Sequence, residues 1–209
     1  HSLLNCTLEA MASFNSSAVP TMVSLEETSL LISGAANTCG ANSLVWLAKR
    51  SDDNGEAVVA YPLHNMVAIT SVSSSSQGKD EGKEDTPGRA RVCVTLRGHH
   101  GQVNALSTQE IPNSGTELYS CAEDGTVRVW YRAAGASMTQ WNLLQTLSAL
   151  LAPAMTVTSL LTRTGTLVGA SDSTGKVATW FRPSKPSPSA EGQGENAAFM
   201  PSGSLQFPP

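Results

Sequence analysis

Between Val92 and Ala133 the chain runs VCVTLRGHHGQVNALSTQEIPNSGTELYSCAEDGTVRVWYRA, and this stretch constrains the fold more than any other. It holds four short apolar or alternating runs, at residues 92–96, 103–107, 117–121 and 126–131. Each has the length and two-residue period of a half-buried strand. The breaks at 98–101, 112–115 and 124–125 are turn chemistry rich in Gly, Pro and Asn. Asp124-Gly125 supplies positive φ at little steric cost, so the last two runs predict a tight hairpin. Four antiparallel strands in so few residues make one compact unit.

The unit recurs. Leu96 precedes Trp130 by 34 residues, and Leu147 precedes Trp180 by 33. Each leucine follows a threonine, and residues 168–180 align with 118–130 without a gap. A third, worn copy runs from Thr7-Leu8 to Val45-Trp46, with Asn37 a doubtful substitute for the turn Asp. Trp46 to Trp130 is 84 residues, about twice a repeat of forty-odd. Residues 56–61 and 66–72 could each be a strand there, but no Ser…Asp-Gly…Trp echo appears. Residues 50–91 therefore read as an insertion, disordered over 73–91 where Ser, Gly and mixed charge leave nothing to bury. Residues 184–209 hold five prolines among Ser and Gly and read as a disordered tail or linker.

The repeat carrying Gly98-His99, Ser120, Asp124-Gly125 and Trp130, in that order, resembles the WD-repeat β-propeller family. One departure is Tyr131, where the family has Asp. The resemblance implies an all-β fold: a partial propeller of about three four-stranded antiparallel blades, at about 4–49, 92–133 and 142–183. It also implies that His99, Ser120, Asp124 and Trp130 form a structural hydrogen-bond network, not a catalytic triad. Trp46 and Trp180 would be blade-core tryptophans. Trp141 lies outside the repeat register and is a candidate for a partner contact, as is Tyr131. Three blades cannot close a ring, because each sheet needs a neighbour on both faces.

Composition narrows the function. The net charge of −4 gives no electrostatic case for nucleic acid or acidic membranes, and scattered arginines such as Arg89 and Arg91 do not change that. No apolar run approaches the length of a membrane span. The chain opens at His1, not Met, and is expected to be a piece of something longer. Cys6, Cys39, Cys93 and Cys121 have neither metal-ligand nor disulfide-framework spacing, so they read as buried thiols of a reducing compartment. Neither metal nor cofactor is expected, and no small-molecule substrate is evident. The expectation is a non-catalytic scaffold, cytoplasmic or nuclear, binding other proteins or peptides. The run Leu144-Gln145-Thr146-Leu147 after the Gly-His unit resembles the propeller subunit of the Elongator complex, which implies tRNA modification as an alternative setting. A propeller-fold hydrolase is the remaining alternative and would need converging carboxylates.

Overall fold

The computed structural model describes residues 43–47, 57–73, 89–184 and 198–206. Twelve strands are seen there: β1 (Val45–Leu47), β2 (Ala57–Leu63), β3 (Met66–Ser73), β4 (Arg89–Arg97), β5 (Val103–Ile111), β6 (Gly115–Ala122), β7 (Thr126–Ala133), β8 (Asn142–Ser148), β9 (Ala154–Leu161), β10 (Gly165–Asp172), β11 (Lys176–Pro183) and β12 (Met200–Gln206). They form three four-stranded antiparallel sheets in sequence order, β1 to β4, β5 to β8 and β9 to β12. The fold is all-β, as the turn-rich, alternating sequence predicts. The copy at 4–49 lies outside the described residues up to position 42, as do 74–88 and 185–197.

The sheets stack face to face, with the second in the middle. Its β5 meets β1 and β2 on one side and β9 on the other. Two apolar cores result. One joins Leu47, Ala60, Ile69 and Leu96 of the first sheet to Leu106, Leu118 and Trp130 of the second. The other joins Tyr119, Val129 and Leu147 of the second sheet to Val157, Val168 and Trp180 of the third. Alternation explains the sharing: on β7, Val127 and Val129 face one neighbour while Trp130 faces the other. Middle strand β6 is accordingly buried along its whole length.

The sheets do not follow the sequence units. Residues 92–96 fall in β4, the last strand of the first sheet, and the fourth strand of the second sheet is β8. The unit at 92–133 therefore straddles two sheets, and so does the unit at 142–183. Segment 50–91 is not simply an insertion: β2 and β3 are the middle strands of the first sheet, and Val58, Val59, Ala60 and Tyr61 are buried. Their apolar character qualifies them for a site covered on both faces, whatever motif they lack. Nor is the region after 184 all tail. Residues 200–206 pair with β11 through backbone bonds, which need no apolar side chains.

Candidate functional site

The Asp124-Gly125 turn joins β6 to β7, and Gly125 takes φ +73° there. Asp124 Oδ1 accepts the Thr126 backbone N–H at 3.1 Å and the Thr126 hydroxyl at 2.7 Å. Its Oδ2 accepts the His100 backbone N–H at 2.9 Å and faces His99 Nδ1 at 3.1 Å. The carboxylate thus ties the β6–β7 turn to the β4–β5 loop. Gly98 allows that loop to pass, because it has φ +149° and a Cβ there would run into the Arg128 guanidinium.

From His99 the network continues inward. His99 Nε2 lies 2.8 Å from Ser120 Oγ, and Trp130 Nε1 donates to the same oxygen at 2.9 Å. An indole nitrogen can only donate, so the Ser120 hydroxyl gives its own proton to His99 Nε2. His99 Nδ1 then carries the ring proton and donates it to Asp124. Every member is satisfied with a neutral imidazole. Burial pushes the His99 pKa down, against the opposing pull of Asp124. Burial alone would raise the Asp124 carboxyl, but the bonds from His100, Thr126 and His99 bring it to about 2.

The same geometry argues against nucleophilic catalysis. Ser120 is fully buried, its oxygen is held by Trp130, and no path leads to it from solvent. The third sheet lacks the Gly-His and solves its turn differently. Asp172 Oδ1 accepts the Thr174 N–H at 2.9 Å, the Thr174 hydroxyl at 2.7 Å and the Lys176 N–H at 3.1 Å. The Thr174 hydroxyl is the chief cause of the lowered Asp172 pKa.

The tryptophans separate by strand. Trp130 on β7 and Trp180 on β11 are buried in the two cores. Trp46, expected in a core, is 65% exposed. It shares the Val-Trp pattern but lies on β1 rather than on a third strand, pairing with Val59 on the face turned from the second sheet. Trp141, expected to be exposed, is half-buried against the first core. Its Nε1 donates to the Met138 carbonyl at 3.0 Å, and the Arg132 guanidinium lies 5.7 Å from its ring centroid. Tyr131 is half-buried too, its hydroxyl donating to the Ser114 carbonyl at 2.8 Å. Cys121 is a buried thiol, pushed by that burial up to about 12.

A second polar cluster lies between the second and third sheets. The Arg182 guanidinium grips Glu117 with two parallel contacts, Nη1 to Oε1 at 2.7 Å and Nη2 to Oε2 at 2.8 Å. The buried Tyr119 hydroxyl also donates to Glu117. Burial, followed by the neighbouring Glu117 charge, drives the Tyr119 pKa well up. On its other flank Arg182 lies 4.5 Å from the centroid of Phe199, whose ring meets Tyr119 edge-on at 6.2 Å. The Gln145 side chain accepts the Phe199 N–H at 2.8 Å and donates to its carbonyl at 3.0 Å. Beside the cluster is a cavity of about 280 Å³ whose walls include Ile111, Tyr131, Leu144 and Leu161.

Sequence reasoning passed over this cluster, although the gapless alignment held a clue to it. Thr116 and Arg132 are opposed across β6 and β7 just as Thr166 and Arg182 are across β10 and β11. The arginines reach those threonines at 3.3 and 3.5 Å. Glu117, by contrast, has Leu167 at the equivalent position of the third sheet, so no repeat betrays it.

Residues 90–131 match the family model described as WD domain, G-beta repeat. No curated protein matches the chain.

Proposed function

We propose that this chain, which carries a WD repeat within a partial propeller of four-stranded blades, is a non-catalytic scaffold that helps assemble an intracellular multiprotein complex. WD repeats mark protein-interaction scaffolds in general. Fold alone does not establish function, so the reading leans on how the polar side chains are used. The observation that carries it is the role of the buried and half-buried acids. Asp124 ties two loops, Glu117 joins two sheets and Asp172 caps a turn. None converges on another, which is what a propeller-fold hydrolase would require.

The third sheet also presents an apolar face with nothing described against it. Leu96 and Leu147 lie opposite Val67 and Val127 in register, and each is buried beneath the following sheet. Leu205 stands opposite Val177 at the equivalent place and is 65% exposed, and Leu160 and Met200 of the same sheet are exposed too. We read this face as the seat of a further blade, from the same protein or another chain.

Affinity capture of the complete protein from its own cells tests the proposal. A defined set of co-purifying proteins supports the scaffold reading. A protein that purifies alone and turns over hydrolase substrates overturns it. Recovery of tRNA-modifying subunits would specify the Elongator-like alternative, which the resemblance at Leu144–Leu147 favours.

A further inference from the structure

We propose that the cavity between the second and third sheets receives an aromatic side chain from an extended segment of a partner protein, seated against the Arg182–Glu117 pair. The proposal rests on the scaffold reading and specifies what kind of segment such a scaffold would hold.

The size of the cavity is the first argument. At about 280 Å³ it falls below the roughly 300–1,000 Å³ of small-molecule sites and suits one large side chain. The second is the state of its polar groups. Glu117 and Arg182 line it, but each satisfies the other, and Tyr131 is bonded to Ser114. A charged occupant would have to separate a buried ion pair, whereas an uncharged ring needs no such exchange. Ile111, Leu144, Leu161 and Pro183 complete an apolar wall for it.

Phe199 gives a third reason, because it shows what the Arg182–Glu117 pair already accepts on its other flank. Its ring lies on the Arg182 guanidinium, a flat cation fixed by the two contacts to Glu117. Its main chain is held at both N–H and C=O by Gln145, which adjoins the cavity-lining Leu144. The residues around Phe199, at 198 and 200–206, are exposed, so Phe199 is the one buried side chain of a stretch that otherwise pairs with β11 through its backbone. The cavity continues that seat through the shared Arg182 and Glu117.

The test is a methyl NMR titration of the full chain with N-acetyltryptophanamide. Saturable shifts are expected at the Ile111, Leu144 and Leu161 methyls, with N-acetylleucinamide binding about tenfold more weakly because it lacks the ring. Leu144→Trp plugs the cavity and should abolish the shifts, and Leu161→Trp does so from the third sheet if the first variant does not fold. Arg182→Lys keeps a charge for Glu117 but loses the flat surface, and should weaken binding about tenfold. No saturable shift at these methyls, equal binding of the leucine compound, or binding unchanged by either plug overturns the proposal. Partner capture by the complete protein would then still stand, so this idea can fail without the scaffold reading.

Discussion

His99→Ala is the sharpest probe of the buried network. The change removes the contact of Nδ1 with Asp124 at 3.1 Å and that of Nε2 with Ser120 at 2.8 Å. Asp124 keeps three donors, the N–H of His100 and the N–H and hydroxyl of Thr126, so its own loss is modest. Ser120 fares worse. It still accepts from Trp130, but its proton is left without an acceptor at a site with no solvent access. A stranded buried donor costs about 1–3 kcal/mol, and a lost charge-assisted bond about 1.5–3 kcal/mol. Asp124 recovers part of the latter through its remaining partners, so a total of about 2–4 kcal/mol is expected. For a domain of this size that lowers Tm by roughly 4–16 °C. Differential scanning calorimetry of the full chain, paired with Asp124→Ala and the double variant, measures both the loss and the coupling. A shift below about 1 kcal/mol, or two single losses that simply add, would refute the idea that these groups act as one unit.

Other changes test the rest of the frame. Trp180→Ala should cost about 3–5 kcal/mol, whereas Trp46→Ala, removing a side chain left 65% exposed, should change urea stability by under about 0.5 kcal/mol. Glu117→Gln strands the Arg182 charge between two sheets and should cost about 3–5 kcal/mol, while Glu117→Leu combined with Arg182→Met and Tyr119→Phe, which removes the hydroxyl that donates to Glu117, should recover most of it, as denaturant midpoints would show. Acid should destabilise the fold in two steps. His99 is held below its usual pKa of 6.5 and Asp124 below 3.8, so both favour folding only when deprotonated. Stability is full above pH 6.5, falls first as the unfolded-state histidine protonates, then falls again between pH 3.8 and about 2. Thermal melts from pH 7 to 2 should show both declines, and His99→Gln should lose the first alone.

How far the sequence foretold this fold depends on whether local pattern or distant pairing decides each feature. Strands β5 to β7 are legible because alternation, the Pro112–Gly115 break and Asp124-Gly125 all act within a few residues. The network is legible for the same reason, as its members sit at fixed places on adjacent turns and strands. Sheet membership is different. Whether residues 92–96 bond to β3 or to β5 depends on which edge is free after folding, and their composition does not say. Trp46 and Trp180 share a local pattern, yet one is open and the other enclosed, because burial is set by the sheet that arrives opposite. Glu117 and Arg182 are 65 residues apart and meet only through packing of two sheets, so nothing near either one announces the pair. Phe199 lies in the short apolar run Ala197–Met200 among Ser, Gly and Pro, too short to show a period.

The offset between repeat and sheet works like a lap joint in carpentry. The units at 92–133 and 142–183 each surrender their opening strand to the sheet before, so the second sheet takes its closing strand from the unit that follows. Cutting the chain at residue 92, where a repeat seems to begin, would leave the first sheet one strand short and the second with a stray strand at its front. The clean break falls in the β4–β5 loop, six to ten residues later, and there the blade must also part from His99. No single unit can therefore be lifted out whole. Losing one damages both neighbours, which welds a linear series of modules into one cooperative body.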